Sequence, residues 1–415
     1  MPQYTDSTGI TWNYTLDANN NASIGTDVAW GHGIATTLGS SLSGAITIPS
    51  TVGGYTVTTI GSHAFGSCSG LTSIDLSGTQ VETIGSKAFR DCTGLTSITI
   101  SDSLTSIGSY AFWTCSNLTS IDLGDSVTTI GPFAFFNCTS LTSFDLGNSL
   151  TTIGSQIFRN CTSLTSITVD ANNNSFSDIN GVLFNKDQST LIKYPLAKTA
   201  TSYAIPHSVT TIGIQTFDGC FELTSIDLGD SVTTIGHYAF YNCSSLTSIT
   251  VDANNNSFSD INGVLFNKDQ SVLIQYPEGN TATSYAIPHS VTTTIGSYAF
   301  YYCSSLTSIT ISDSVTTIGK YAFFNCSDLN SITIPDSVTT IDVRAFYNIG
   351  SPSTVYVKDV DPTDEHTMAT LQNTMAGRIT GDVTYEQWVD PIPPPAPICF
   401  PAGTPVLTDQ GEVAI

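Results

Sequence analysis

The chain is short of basic residues. Among its 415 residues, 11 are Lys or Arg and 34 are Asp or Glu, which gives a formal net charge of −23. A surface of this sign repels the phosphate backbone of nucleic acids and the headgroups of anionic lipids. We therefore expect no nucleic-acid partner and no attraction to an anionic membrane surface.

Long apolar runs are also missing. No stretch approaches the ~20 apolar residues of a membrane-spanning helix, so we expect no membrane insertion. The first residues, Met1 to Asp6, lack the basic and then apolar regions of a secretory signal peptide. Charged residues are only 11% of the chain, and Ser, Thr and Asn supply most of its polarity. This composition favours an extracellular or surface-displayed β-protein over a cytosolic enzyme.

Motifs of enzymes and metal sites are scarce. The sequence has no Cys-x-x-Cys pair and no Cys/His cluster, so no zinc site is predicted. Asp170, Asn172, Asn174 and Asp178 have the spacing of a calcium-binding loop, but its Gly and its final Glu are replaced. A turn held by Asn side chains fits this segment better. Without a phosphate loop or a Ser/His/Asp grouping, we expect neither a cofactor nor an enzymatic activity.

An internal repeat dominates the rest of the sequence. A landmark Phe recurs with a spacing that is mostly 23 residues. The landmark residues are Phe65, Phe89, Phe112, Phe135, Phe158, Phe217, Phe240, Phe300, Phe323 and Phe346. A fixed period in the low twenties predicts a solenoid, because one coil is too small to fold alone and is stabilised by its neighbours.

Apolar and polar residues alternate within each coil. In the copy at 118–123, Leu118, Ile121 and Leu123 are expected to face the core while the residues between them face solvent, as in a short strand. The apolar residues of 127–138 are spaced three apart, which suggests tight turns or 3₁₀ segments on the other sides. Gly131 is expected to supply a positive φ at a corner.

The cysteines fall into a column. Nine of the ten follow a landmark Phe by three residues: Cys68, Cys92, Cys115, Cys138, Cys161, Cys220, Cys243, Cys303 and Cys326. Neighbouring coils would bring such thiols within reach of a disulfide. We favour free thiols that pack as small apolar core residues, because nine is an odd number and the column repeats one position.

Two near-identical insertions explain the long gaps between landmarks. They span about 170–205 and 252–287 and share the sequence Gly-Val-Leu-Phe-Asn-Lys-Asp-Gln-Ser. Segments 182–184 and 191–194, joined by 185–189, predict a β-hairpin. We expect each insertion to widen its coil and to protrude. The hairpin aromatics are expected to pack locally: Phe184, Tyr194, Phe266 and Tyr276.

The chain outside the repeat predicts caps and a linker. Residues 1–59 contain short strands and Gly-rich turns, which we interpret as an N-terminal β cap over the open edge of the first coil. The solenoid itself is assigned to 60–350. Residues 351–390 are expected to form a C-terminal cap that includes a helix over about 364–378. Residues 391–398 form a stiff Pro-rich linker.

One outward position of the strand segment forms a stripe along the solenoid. We call these residues, together with Thr72 of the adjacent Thr-Ser columns, the strand-face stripe. Its members are Thr72, Asp75, Thr99, Asp122, Asp145, Thr168, Asp227, Thr250, Thr310 and Thr333. An exposed sheet of a repeat protein is its default binding face. The alternative is that Thr and Ser are simply suitable solvent-facing strand residues in a duplicated coil.

The pattern Ile-Gly-x-x-Ala-Phe-x-x-Cys-x-x-Leu-x-x-Phe-x-Leu at 130–146 resembles the BspA-like leucine-rich repeats of bacterial and protist surface proteins. Eight similar copies occur over roughly 45–350. The last copy departs from the pattern, with Ile349 in place of Cys, and one residue is added at 292–294. The resemblance implies a right-handed solenoid that binds proteins or glycans in adhesion, without catalysis.

A second pattern begins at Cys399. The run 399–415, with its Cys, Gly-Thr, Val, Thr and Gly, resembles the opening block of a hedgehog/intein (Hint) autoprocessing domain. The resemblance implies that the Cys399 thiol attacks the carbonyl of Ile398 while a His protonates the leaving nitrogen. All six His precede Cys399, so this would be only the truncated start of such a domain. The alternative is a disordered tail with an incidental Cys.

Together these features predict a mainly β repeat solenoid of the leucine-rich-repeat type. The predicted function is a non-catalytic binding or adhesion scaffold for a protein or glycan ligand on another surface. The alternative is the displayed portion of a self-processing precursor. The oligomeric state is left open.

Overall fold

The computed structural model describes residues 1–25, 42–288 and 292–350, and beyond them the backbone of four further strands. This part of the chain is a β-solenoid of about 13 turns of roughly 23 residues. It contains no helix, so nothing in it has the form of a membrane-spanning helix. The helix expected over 364–378 lies outside the described residues.

The strands before the first insertion are short. In chain order they are β1 (Gln3–Thr5), β2 (Thr11–Leu16), β3 (Ala22–Ile24), β4 (Ser43–Thr47), β5 (Thr51–Val52), β6 (Tyr55–Ile60), β7 (Gly70–Asp75), β8 (Thr83–Ile84), β9 (Ser97–Thr99), β10 (Ser106–Ile107), β11 (Thr129–Ile130), β12 (Ser143–Leu146), β13 (Thr152–Ile153) and β14 (Ser166–Val169).

The remaining strands include both insertions. They are β15 (Phe176–Ile179), β16 (Val182–Asn185), β17 (Thr190–Lys193), β18 (Ser202–Ala204), β19 (Thr211–Ile212), β20 (Ser225–Asp227), β21 (Thr234–Ile235), β22 (Ser248–Thr250), β23 (Phe258–Ile261), β24 (Val264–Asn267), β25 (Val272–Gln275), β26 (Ser284–Ala286), β27 (Thr294–Ile295), β28 (Ser308–Thr310), β29 (Thr317–Ile318), β30 (Ser331–Ile334), β31 (Thr340–Ile341), β32 (Thr354–Lys358), β33 (Thr384–Trp388), β34 (Pro405–Thr408) and β35 (Gly411–Ala414).

Most coils contribute to two parallel ladders. The Ser-Ile-Thr/Asp segments pair in register, as in Asp145↔Thr168, and we call the side that they form the strand face. The Thr-Ile segments form a second ladder, as in Thr129↔Thr152. The tight turn or 3₁₀ segment expected over 127–138 is therefore wrong for 129–130, because two β-branched residues per coil suffice for a parallel ladder. The expected tight turns are present at 132–137. Conversely, 118–123 has the expected burial pattern but forms no strand.

The third side of each coil consists of two tight turns around the landmark Phe, and we call it the turn face. Residues two before and two after that Phe adopt left-handed backbone, as Phe133 (φ 58°) and Asn137 (φ 62°) do beside Phe135. Gly131 does not have the positive φ that we expected. A Cβ there would lie 2.5 Å from the backbone nitrogen of Ser109. Glycine is needed because adjacent coils approach too closely for a side chain.

The core is built from columns of identical side chains. The rings of Phe65 and Phe89 stack with centroids 5.1 Å apart, and the rings of Phe112 and Phe135 stack at 5.2 Å. All nine column cysteines are buried and none of them is in a disulfide, as the favoured interpretation predicted. The Cys138 thiol donates to the carbonyl oxygen of Phe112, the landmark residue of the preceding coil, at 3.2 Å.

The two insertions are internal septa and not protrusions. The predicted hairpin is confirmed, because β16 pairs antiparallel with β17. However, Val182, Leu183 and Phe184 are all buried. Leu183 packs in the core on one side of the hairpin, while Val182 and Phe184 pack in the core on the other side. A strand that is apolar on both faces separates two cores, so the expected protrusion was wrong.

Each insertion also contains a hidden coil. Strand β17 pairs in parallel with β19, as an ordinary Thr-Ile strand does. Tyr194 occupies the landmark position, with its ring centroid 5.5 Å from that of Phe217. Tyr276 lies equivalently, 5.1 Å from Phe300. Both tyrosines are therefore buried and are not exposed contacts, but they pack in the core column and not within the hairpin as expected. Counting phenylalanines alone misses two coils.

The N-terminal strands continue the Thr-Ile ladder. Strands β1, β2 and β3 pair antiparallel, and β3 then pairs in parallel with β6. Trp12 is fully buried and packs edge-on against Phe65, with centroids 6.4 Å apart. At the other end, β32 pairs in parallel with β30 and with β33. The assignment of both ends as separate caps stays a prediction.

Candidate binding faces

The strand-face stripe lies on the strand face in consistent register. Asp75 lies opposite Thr99, Asp227 opposite Thr250, and Thr310 opposite Thr333. All ten residues are at least partly exposed, and Thr99, Asp122 and Thr250 are among the exposed ones. The stripe is divided into groups, since β14 and β22 pair with no strand on the insertion side and instead meet the septa.

The hydroxyls of the threonine column beside the stripe are already used in hydrogen bonds within the solenoid. The Thr96 hydroxyl donates to the carbonyl oxygen of Thr72 at 2.9 Å, and Thr165 donates to Thr142 at 2.9 Å. Thr247 and Thr307 donate in the same way to the coil before them. These hydroxyls hold one coil to the next, so this column offers a ligand little donor capacity.

Most stripe residues keep more of their hydrogen-bonding capacity, although the Thr168 hydroxyl donates to the Asp145 carboxylate at 3.2 Å. Asp122 and Asp227 each accept one backbone N–H, at 2.9 Å and 3.0 Å, through a single carboxylate oxygen. Thr99, Thr250 and Thr310 have no hydrogen-bond partner for their hydroxyls within the described ranges. The arrangement can therefore present carboxylate and hydroxyl groups in register.

The calcium-like loop is a turn held by one buried amide, as the favoured interpretation predicted. Asn173 is fully buried, and its side-chain NH₂ donates to the carbonyls of Gly147 (2.8 Å) and Leu150 (3.1 Å). Its side-chain oxygen accepts the N–H groups of Ser175 and Phe176, both at 2.8 Å. The second septum repeats this arrangement at Asn255.

An aromatic and basic surface runs along the turn face. It is formed by residues two before and one after the landmark position, and we call it the turn-face ladder. Its aromatic members are Tyr110, Trp113, Phe133, Phe136, Tyr238, Tyr241, Tyr298, Tyr301, Tyr321, Phe324 and Tyr347, and its basic members are Lys87, Arg90, Arg159 and Arg344. Lys320 lies beside the ladder, with its amino group 5.2 Å from the Tyr321 ring centroid. The rings of Tyr110 and Phe133 stack at 4.9 Å, and those of Tyr301 and Phe324 at 4.9 Å.

Sequence reasoning missed this surface. Its signal was a column of aromatic residues at fixed offsets from the landmark Phe. Cations cover several of the rings: the Arg90 guanidinium lies 4.6 Å from the Trp113 ring centroid. Four of the nine Lys and Arg in the fully described ranges belong to this ladder, and Lys320 lies beside it. Such a concentration stands out on a chain with so few basic residues.

Side chains bridge the turn face differently at the two septa. At the first septum, Arg159 pairs with the buried Asp218 at 3.1 Å, and the buried Lys193 donates to the Asp218 carbonyl at 3.3 Å. Burial raises the pKa of Asp218, although Lys193 and Arg159 oppose that rise. At the second septum, the hydroxyls of two tyrosine pairs meet at 2.8 Å: Tyr238 with Tyr298, and Tyr241 with Tyr301.

Cys399 lies outside the described residues, and its role stays a prediction. Within the run 399–415 the structure describes the backbone of two strands, β34 and β35, which pair antiparallel. In the part of the chain that the structure describes, no group of His, Cys, Asp and Glu side chains has the arrangement of a metal site.

A family model supports the repeat pattern. The model for the BspA type leucine rich repeat region matches six copies, at residues 58–189, 196–287 and 293–373. These matches cover more than half of the chain. No curated protein matches the chain.

Solved structures of repeat proteins are also similar to the chain. A leucine rich cell surface protein from Faecalibacterium prausnitzii is 28% identical, with 94% of this chain and 96% of that chain covered and a TM-score of 0.52. A leucine-rich repeat protein from Eubacterium ventriosum is 25% identical over 84% and 95%, with a TM-score of 0.54. The pneumococcal vaccine antigen PcpA is 22% identical over 94% and 99%, with a TM-score of 0.58, and indicates the fold alone.

Proposed function

This chain belongs to the BspA-type leucine-rich repeat family, and we propose that it is a non-catalytic binding or adhesion scaffold displayed at a cell surface. The strand-face stripe recognises a protein or glycan ligand. The similarity to a leucine rich cell surface protein supports this proposal. The chain is held together by backbone ladders and buried side-chain columns, so its exposed faces are free to carry recognition.

The observation that carries the proposal is the difference between two neighbouring threonine columns. In one column the hydroxyls donate hydrogen bonds to carbonyl oxygens of the preceding coil, as the Thr96 hydroxyl does to the carbonyl of Thr72. The stripe beside it leaves the hydroxyls of Thr99, Thr250 and Thr310 without a partner in the described ranges. A ligand that accepts and donates hydrogen bonds can use the stripe without breaking the solenoid.

The test compares the wild-type protein with the triple variant T99R/T168R/T250R on a panel of surface glycans and extracellular-matrix proteins. The expected result is binding to at least one member of the panel that the triple variant loses by at least about tenfold, since three bulky side chains block the stripe. The control T105R/T128R/T151R places the same charges on exposed residues beside the other ladder. Because these three hydroxyls donate to carbonyls of the preceding coil, thermal unfolding checks that both triple variants are folded.

Two results would count against this proposal. Equal binding by the wild-type protein and the triple variant would remove the stripe from recognition. Failure of the wild-type protein to bind any member of the panel would count against a scaffold for these ligand classes.

The self-processing precursor remains the second candidate function. Its support is the sequence resemblance at 399–415 alone. Intact mass and the C-terminal peptide of the protein from its natural source test it. A mature chain that ends at Ile398 is expected if a Hint domain cleaves there. An uncut junction between Ile398 and Cys399 would contradict this function.

A further inference from the structure

We propose that the turn-face ladder contains a second binding site, which takes a linear carboxylated polysaccharide. The site is a depression of about 400 Å³ at the C-terminal half of the ladder. It is lined by Arg159 and Arg344 together with the tyrosines of the two coils that flank the second septum, Tyr238, Tyr241, Tyr298 and Tyr301. This inference rests on the proposed function in one respect, that the chain is a binding scaffold. It does not depend on the strand-face stripe, because the depression lies on the turn face.

The depression exists because the coil of the second septum is small on this side. That coil carries Ile274 and Pro277 where its neighbours carry tyrosines. The larger side chains reach over it, so Tyr238 contacts Tyr298 although 60 residues separate them. The ring centroids of this pair are 4.8 Å apart. The result is a shallow floor of rings and hydroxyl groups.

Arg344 gives the depression its unpaired positive charge, because Arg159 is already paired with Asp218. Arg159 lies 6.0 Å from the Tyr241 ring centroid, and its guanidinium also binds Asp218. Arg344 donates to the Tyr321 hydroxyl at 3.0 Å and lies 5.5 Å from the Tyr347 ring centroid. The described part of the chain supplies no carboxylate within ion-pair distance of Arg344. An incoming carboxylate can form a charge-assisted pair there.

Charge complementarity selects an anionic occupant. The chain as a whole carries −23, whereas Arg344 places a positive charge in the depression that no carboxylate of the described residues pairs with. Rings beside arginines favour a ligand with both carboxylates and apolar C–H surface, and a uronic acid unit has both. The repeat of the ladder, with the Tyr298 and Tyr321 centroids 5.2 Å apart, suits a polymer of similar units laid along it.

The backbone argues against an acidic peptide. An extended peptide gains most of its affinity by adding a strand to an open edge. On the turn face, the N–H groups of Tyr298, Phe300 and Tyr302 donate to the carbonyls of the next coil, at 2.8 to 3.0 Å. No open edge is offered there, so recognition must use side chains. Side chains are sufficient to recognise a polysaccharide, which needs no strand edge.

The test measures binding of an oligogalacturonate to the full chain by calorimetry, with its methyl ester as the uncharged probe. R344Q is expected to weaken oligogalacturonate binding by at least about tenfold, and Y298A to weaken it as well. The matched control R90Q, at the other end of the same ladder and outside the depression, is expected to bind like the wild type. Thermal unfolding of each variant checks that it is folded.

Three outcomes would overturn the proposal. They are the absence of oligogalacturonate binding, equal affinity for the methyl ester, and R344Q binding like the wild type. Equally tight, Arg344-dependent binding of a polyglutamate peptide would assign the site to acidic proteins instead. The triple variant T99R/T168R/T250R is expected to retain oligogalacturonate binding. The strand-face proposal and this one can therefore fail separately.

Discussion

Removing the buried amide of Asn173 should destabilise the first septum severely. The Asn173→Ala substitution deletes four hydrogen bonds, of 2.8 to 3.1 Å, from one fully buried side chain. It leaves two N–H groups and two carbonyls without that partner. An unsatisfied buried group costs about 1–3 kcal/mol, and some of the four will recruit water. We expect a loss of about 4 kcal/mol in the free energy of unfolding.

Denaturant unfolding, with amide hydrogen exchange as a local probe, measures this loss. Exchange at Ser175 and Phe176 should speed up, because both N–H groups lose their acceptor. The control Asn174→Ala changes an exposed neighbour and is expected to stay within about 0.5 kcal/mol of the wild type. A similarly small effect for Asn173→Ala, with unchanged exchange, would refute the view that this amide anchors the septum.

Three further predictions concern the coil and its titrating groups. Gly131→Ala should lower the free energy of unfolding by about 1–3 kcal/mol, because the new methyl group clashes with the preceding coil. Gly124→Ala, in open space at φ +61°, should lower it only by the left-handed backbone strain of about 1–2 kcal/mol. Urea unfolding compares the two variants. The nine column thiols should resist a disulfide reagent at pH 8 until the protein unfolds, because they are buried and burial raises their pKa values. The pKa of Cys68, for example, is raised to about 11. Rapid labelling of the native protein would contradict this prediction. Burial raises the pKa of Glu278 from 4.5 to about 7, so its contribution to stability is present below pH 4.5 and is lost as the pH rises through 7. Glu278→Gln should therefore match the wild type near pH 4 and exceed it by about 2 kcal/mol at pH 8; a constant difference across this range would contradict the shift.

The period of the sequence was enough to predict the coil, its core columns and the free thiols. An inward position repeated every 23 residues has only the core to occupy. The role of Gly131 could not be read from the sequence, because a glycine needed for positive φ and one needed for close approach look alike. Here the distance between coils decides, and that distance depends on the tertiary structure.

The septa were misinterpreted although their signal was present. Val182-Leu183-Phe184 is a continuous apolar run, which is typical of a strand buried on both faces. A protruding hairpin would alternate apolar and polar residues. The turn-face ladder was harder to predict, because its columns meet only when left-handed residues such as Phe133 and Asn137 fold the turns. Tertiary contacts stabilise that conformation, and local propensity disfavours it.

The central claim is that the chain is a binding scaffold whose exposed faces recognise separate ligands. Hydroxyl-radical footprinting of the full chain, with and without saturating oligogalacturonate, tests it most directly. The account predicts that Tyr238, Tyr241, Tyr298 and Tyr301 are protected while the residues of the strand-face stripe are unchanged. Unchanged tyrosines, or protection confined to the strand-face stripe, would contradict it.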